Sequence, residues 1–131
     1  MPQVAGNGRP IISAYAKGRR FECETRDYLR NLGWFVVMHA RSSLPDLVAF
    51  RDGATLLVEC KLGGYLPTPQ RRRMARLARK QVRGRPILAF REARQIVLSQ
   101  LSSKSARFDR PFDAGPYQDS SGEGSSGKGE S

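Results

Sequence analysis

The chain has 131 residues, of which 23 are Lys or Arg and 12 are Asp or Glu, so its formal net charge is +11. This length accommodates one domain of ordinary size and not two. The longest apolar run, Trp34 to Met38, is far shorter than the ~18 residues that a membrane-spanning helix needs, and the first residues lack the apolar core of a signal peptide. We therefore expect a soluble, cytoplasmic protein.

The N-terminal third predicts an arm, a helix and a strand. Residues 1–14 contain Gly and Pro without a periodic pattern and are expected to form a flexible arm. Apolar side chains recur at helical spacing over about residues 16–32, and Gly33 is placed to end that helix. Residues 34–39 are rich in β-forming side chains, which predicts a strand. A loop over residues 41–45 follows.

The middle of the chain predicts a hairpin and then a second helix. Residues 46–51 and 54–61 are rich in β-formers and are joined by Asp52-Gly53, a sequence most typical of a two-residue hairpin turn. Thr68 is placed to cap a helix that runs to about Val82. We expect this helix to cover one face of the sheet that contains the hairpin.

Two further predicted strands, 87–90 and 95–101, complete the order helix, three strands, helix, two strands. This order predicts an α/β fold with a mixed sheet of about five strands flanked by helices, in which residues 54–90 form a parallel crossover. Residues 15–101 would form the single domain. Residues 102–131 show no helical or strand spacing of apolar residues, and the last twelve are only Ser, Gly, Glu and Lys. We therefore expect a flexible Ser/Gly-rich tail.

The predicted hairpin brings two carboxylates together. Asp46 lies directly opposite Glu59, and Lys61 lies on the same face two residues further along. Opposed like charges destabilise a sheet unless something offsets their repulsion. A divalent cation would offset it, and Lys61 would do so in part. If the residues lie at exposed strand ends, the repulsion is weaker and no cation is required. Glu22 and Gln70 lie beside the apolar faces of the two helices, which is consistent with one shared site.

The positive charge is concentrated in residues 71–94, which contain ten basic residues and one acidic residue. Most of the basic residues are Arg, whose planar side chain donates two parallel hydrogen bonds to a phosphate. Such a segment attracts polyanions, although a solvated helix face has the same composition. We predict nucleic-acid binding by Arg19, Arg20, Arg41, Arg71, Arg72, Arg73, Arg76, Arg79, Lys80 and Arg83.

The order Pro45-Asp46 followed by Glu59-Cys60-Lys61 matches the P-D…(D/E)-x-K signature of the restriction-endonuclease-like nuclease superfamily. More narrowly, residues 15–100 resemble the archaeal-type Holliday junction resolvases, from Glu22 through the loop Arg41-Ser42-Ser43 to the end of the second helix. The superfamily signature is short, whereas the complete ordered set of acidic residues and lysine on the expected elements is much more specific.

This resemblance implies a restriction-endonuclease-like core and a metal-dependent DNA endonuclease of the crossover junction type, active in recombination and repair. It implies a homodimer that resolves branched double-stranded DNA by paired nicks with Mg²⁺, for which Mn²⁺ can substitute. The implied catalytic residues are Glu22, Asp46, Glu59, Lys61, Gln70, Ser42 and Ser43. The implied metal ligands are Asp46, Glu59, the backbone carbonyl of Cys60, and Glu22.

Two other functions stay open at the level of the sequence. Another nuclease of the same superfamily, acting on duplex or flap DNA in repair or phage DNA processing, would carry the same residues. A non-catalytic basic DNA-binding module would share the charge, but the complete acid–lysine set argues against it. A histidine-based metal site is disfavoured because His39 is the only histidine.

Overall fold

The structure is a computed structural model that describes residues 13–39 and 44–116. The predicted N-terminal arm up to residue 12, the loop residues Arg41, Ser42 and Ser43, and residues 117–131 of the predicted tail lie outside the described residues. Within the described ranges, no helix is long and apolar enough to cross a membrane. The elements in chain order are α1 (Ala14–Asn31), β1 (Phe35–Met38), β2 (Leu47–Arg51), β3 (Ala54–Cys60), α2 (Thr68–Arg76) continued by a π-helical turn (Leu77–Gln81), β4 (Arg85–Glu92), β5 (Gln95–Gln100), a 3-10 turn (Ala106–Phe108) and β6 (Arg110–Pro111).

The strands form one six-stranded sheet in the order β1-β2-β3-β4-β5-β6. Within this sheet the β3–β4 pair is parallel, and the other neighbours are antiparallel. This confirms the predicted α/β class, the mixed sheet and the parallel crossover through α2. The two residues of β6 were not predicted as a strand, because a segment this short carries no alternating pattern.

The β2–β3 hairpin has the predicted register. Asp52 and Gly53 both have left-handed backbone conformations, with φ of 49° and 82°, as a tight hairpin turn requires. Arg51 pairs with Ala54 and Leu47 pairs with Val58. The next position beyond Leu47 and Val58 is occupied by the two carboxylates that the sequence predicts to face each other.

Helices cover both faces of the sheet, and each face has its own apolar core. On the α1 side the core contains Phe21, Leu29, Leu47, Leu56, Val58 and Ile87 together with smaller neighbours. On the α2 side it contains Leu57, Leu66, Met74, Ala78, Leu88 and Leu101. Alternate residues of β3 therefore face opposite helices, because successive side chains of a strand point to opposite faces.

The second helix begins differently from the prediction. Pro67, with extended backbone angles, precedes the helix, Thr68 is its first residue, and no side chain caps it. The prediction of Thr68 as the cap is therefore wrong by one residue, because Pro67 already holds the extended conformation of a capping position. The π-helical turn ends at Gln81, and Val82 lies outside it, 46% exposed.

The ordered domain extends beyond the predicted boundary at residue 101. Ala114 is buried, and its carbonyl accepts hydrogen bonds from Trp34 Nε1 at 2.8 Å and from Arg51 Nη1 at 3.0 Å. Arg51 Nη2 also donates to the Gly115 carbonyl at 2.6 Å. Side chains from a distant part of the chain thus hold the end of the segment 102–116 in place. This attachment does not require a periodic apolar pattern within the segment itself.

Candidate active site and nucleic-acid interface

The two predicted carboxylates lie at the open end of the hairpin. Asp46 precedes β2 by one residue, and the Cys60 backbone N–H donates to its Oδ2 atom at 2.9 Å. Glu59 lies near the end of β3 and is only 4% exposed. Among the described residues, its buried Oε1 atom has no hydrogen-bond partner. The structure therefore holds a desolvated carboxylate next to a second one.

The electrostatics of this pair follow from that placement. Burial, followed by the charge of Asp46, raises the pKa of Glu59 to about 8. The Lys61 ammonium lies 3.9 Å from Glu59 Oε2 and offsets the repulsion only in part. Since burial disfavours an ionised carboxylate without sufficient partners, this pair favours binding either a proton or a cation.

Glu22 of α1 lies near the same pair. Burial and then the charge of Asp46 raise the pKa of Glu22, whereas Arg19 and Lys61 lower it. Arg19 Nη1 is 3.1 Å from Glu22 Oε1. Among the described residues, however, no three His, Cys, Asp or Glu side chains form a group that could hold a metal ion. In this structure the Glu22 carboxylate pairs with Arg19, and its role as a direct metal ligand stays a prediction.

The remaining predicted site residues have different outcomes. Gln70, in the first turn of α2, has a buried Oε1 atom with no hydrogen-bond partner among the described residues, which agrees with an inward position. Burial raises the pKa of the Cys60 thiol far above its usual range, so the thiol stays neutral. Ser42 and Ser43 lie outside the described residues, so their predicted roles stay predictions.

The basic side chains of the second helix divide into two groups. Arg71 is only 3% exposed, and its Nη1 atom lies 2.6 Å from Asp109 Oδ1. The burial of Arg71 in this ion pair argues against the predicted contact with nucleic acid. The predicted residues that are exposed to solvent are Arg19, Arg20, Arg72, Arg73, Arg76, Arg79, Lys80 and Arg83.

One ion pair near the site was not predicted from the sequence. Glu24 of α1 pairs with Arg91 of β4, although 67 positions separate them in the chain. Arg91 also lies over the Phe21 ring, 5.4 Å from its centroid. The sequence shows Arg91 only as one basic residue among many, and it contains no local signal that would pair it with Glu24.

Comparison with known proteins decides the family. A model of the archaeal Holliday junction resolvase family, Hjc, matches residues 13–112. The chain belongs to this family. The solved structure of Archaeoglobus fulgidus Hjc, described as a Holliday junction resolvase from an archaeal hyperthermophile, matches with a TM-score of 0.55 and 21% identity, covering 74% of this chain and 84% of that chain. No curated protein matches.

Family membership confirms the resemblance that the ordered acidic residues and lysine suggested. It also confirms the predicted function at the level of the family, a nuclease that resolves Holliday junctions. The solved Hjc structure, at its low identity, supports the fold alone. The residues brought together at the end of the β2–β3 hairpin are the candidates for performing this reaction.

Proposed function

We propose that this resolvase cuts branched double-stranded DNA at four-way junctions by Mg²⁺-dependent hydrolysis and introduces paired nicks. One observation carries the proposal: Glu59 is buried beside Asp46, and its Oε1 atom has no hydrogen-bond partner among the described residues. A buried carboxylate in this state destabilises the fold. A divalent cation between the two carboxylates would offset that cost, and Mn²⁺ would substitute for Mg²⁺.

The available donors fit such an ion. Mg²⁺ takes oxygen ligands and is usually bound by one or two carboxylates plus substrate phosphates and water, without a cage made only of protein groups. Asp46 and Glu59, with the backbone carbonyl of Cys60, would hold it. Glu22, paired with Arg19 nearby, would add negative charge beside the ion. This donor set needs no third carboxylate in direct contact.

The bound ion would supply an acidified water as nucleophile and would neutralise charge on the scissile phosphate. Asp46 is oriented by the Cys60 N–H, which holds its Oδ2 atom against the end of β3. The Lys61 side chain is 39% exposed, so its ammonium can donate to a phosphate oxygen that approaches from solvent. Gln70 would position water through its buried amide.

The exposed face of the second helix provides the second requirement, a surface for the DNA backbone. Its basic side chains run from Arg72, two residues after Gln70, to Arg83 beyond the π-helical turn. Phosphate contacts of this kind position the duplex without reading bases. They fit a nuclease that recognises the shape of its substrate.

Resolving a junction requires two related cuts, and one small domain carries one site. We propose a two-fold homodimer, which would supply two sites at a fixed separation. An apolar patch on β1 and β2 provides a surface for the second copy: Phe35 is 69% exposed, Val37 46% and Phe50 42%. The two phenylalanine rings lie together, with centroids 6.4 Å apart.

The decisive experiment uses a synthetic four-way junction whose branch point cannot migrate, with a linear duplex of the same sequence. With Mg²⁺ we expect symmetric nicks in two opposed strands, and preferential binding to the junction. Asp46→Asn should abolish the nicks and retain binding, whereas Asp27→Asn, a matched change on the exposed side of α1, should cut normally.

Other outcomes would favour the alternatives. Nicks on one strand only, or equal cutting of the linear duplex, would favour a general nuclease of the superfamily. Binding without cutting in Mg²⁺ or Mn²⁺ would favour a non-catalytic module. For the dimer, Phe35→Asp should shift sedimentation from dimer to monomer, and an unchanged sedimentation coefficient would exclude the β1–β2 patch as the contact.

A further inference from the structure

Two adjacent cavities of about 400 Å³ each lie along α1, one beside the β4–β5 turn and the other beside β4 and the loop after β3. Both are lined by Glu24 and Arg91, so that ion pair stands between them. Lys17 and Arg20 of α1 line one cavity, and Arg94 of the turn lines the other. We call the two cavities together the α1 groove. Four basic side chains and one acidic side chain give it a net positive charge.

The α1 groove reaches the loop that directly follows the candidate active-site residue Lys61. Leu62, the residue after Lys61, lines the same cavity as Lys17 and Arg20. The Arg91 backbone N–H donates to the Leu62 carbonyl at 3.2 Å, which fixes the loop against β4. A strand whose scissile phosphate lies at Lys61 would therefore meet the α1 groove on one side of the cut.

The turn at the outer end of the groove is held in an unusual conformation. Ala93 and Arg94 have left-handed backbone angles, with φ of 50° and 66°, and neither is glycine. Such conformations are unfavourable for residues with a side chain, and they persist where the surroundings impose them. This turn holds Arg94 at the rim of the groove, where its guanidinium can meet a phosphate.

The Glu24–Arg91 pair is open to competition. Their side chains are 42% and 34% exposed, and an ion pair in contact with solvent contributes little net stability. A phosphate can offer the Arg91 guanidinium the same two-pronged hydrogen bonding that a carboxylate does. The contact of Arg91 with the Phe21 ring does not involve Glu24.

We propose that the α1 groove binds the phosphodiester backbone of one DNA strand next to the cut. In the absence of DNA, Glu24 pairs with Arg91, and on binding a phosphate takes the place of the Glu24 carboxylate. At a four-way junction, strands that change partners leave the duplex at the branch point. This inference rests on the proposed function for its substrate and adds a second contact surface to the exposed face of α2.

The first test removes the acidic partner. We expect Glu24→Gln to bind a labelled four-way junction about threefold to tenfold more tightly, with a steeper salt dependence, because Arg91 becomes available to phosphate. Fluorescence anisotropy over a series of salt concentrations, without divalent cation, measures both. Asp27→Asn is the matched control on the same helix and should change neither quantity. Equal effects of the two variants would overturn the role of Glu24.

The second test removes basic residues from the α1 groove. Lys17→Gln with Arg20→Gln should reduce the slope of log K against log salt by about 0.7 to 0.9 for each phosphate that the variant no longer binds. The control, Lys104→Gln with Arg107→Gln, makes the same charge change on exposed residues near the other end of β5. If both double variants lower the slope equally, the effect is one of net charge and the proposal fails.

A third variant separates this proposal from the proposed function. Replacing Arg72, Arg76 and Arg79 by Ala tests the exposed α2 face, and wild-type cutting is measured in parallel. A reduced slope in the α2 variant with no reduction in the groove variant would exclude the α1 groove and leave the junction nuclease intact. Absence of junction cutting by the wild type, with the groove effects present, would instead reject the nuclease and retain the groove as a nucleic-acid site.

Discussion

Two charged side chains are buried almost equally, Glu59 at 4% exposure and Arg71 at 3%, but their surroundings are opposite. Arg71 meets Asp109 at 2.6 Å, and Asp109 also accepts the Ser102 backbone N–H at 2.8 Å. Glu59 instead faces a second carboxylate, Asp46, and keeps one oxygen without a hydrogen-bond partner among the described residues.

This difference separates a structural charge from a candidate functional one. The Arg71–Asp109 pair joins α2 to the segment before β6, and each charge has a partner of the opposite sign. Glu59 gives the fold no comparable contact. A group that is buried, repelled by its neighbour and incompletely hydrogen-bonded is a candidate for function, because folding alone would not favour that arrangement.

The largest expected effect is on catalysis. Glu59→Gln should lower the rate of junction cutting at least about 100-fold, the scale seen when one electrostatic interaction with a transition state is removed. Binding of uncut junction without divalent cation should stay the same, because the backbone contacts lie elsewhere. Single-turnover cleavage and anisotropy measure the two quantities. If the variant cuts at near the wild-type rate, Glu59 has no catalytic role.

Arg71→Ala should act on stability instead. The change leaves Asp109 largely buried without its partner, so we expect a decrease of about 3 kcal/mol in the free energy of unfolding. The salt dependence of DNA binding by the remaining folded protein should not change. Urea denaturation measures the decrease. Unchanged stability combined with a reduced salt slope would show that Arg71 contacts DNA after all.

A smaller effect concerns pH. The pKa of Glu59 is raised from 4.5 to about 8 in the fold, so between these values the folded protein binds a proton that the unfolded chain releases. The free energy of unfolding of the metal-free protein should therefore rise as the pH falls from 9 to 6, by about 2 to 3 kcal/mol. Glu59→Gln should remove this dependence. An equal pH dependence in wild type and variant would show that Glu59 is not the group that causes it.

The smallest expected effect sharpens the contrast between neighbouring arginines. Arg72 is exposed, whereas Arg71 is buried. Arg72→Ala should change the free energy of unfolding by less than about 0.5 kcal/mol, and should lower the salt slope for duplex binding by about 0.9. A decrease in stability similar to that of Arg71→Ala would mean that burial does not distinguish the two positions.

The sequence by itself determined the hairpin and the carboxylate pair. The two-residue turn Asp52-Gly53 sets the register of β2 and β3, and the register places Asp46 opposite Glu59. These relations depend on residues that are close in the chain, so turn chemistry and the alternation of a strand are sufficient to predict them. The basic composition of α2 and the order of the family's residues were equally visible.

Only the tertiary structure decided which of these charged side chains are exposed and which are buried in ion pairs. Arg71 and Arg72 are the same residue type at successive positions, and their different burial depends on Asp109, far along the chain. The Glu24–Arg91 pair and the attachment of residues 102–116 through Trp34 likewise join distant segments. The physical reason is common to all three: burial and pairing arise from packing between elements, which no local spacing encodes.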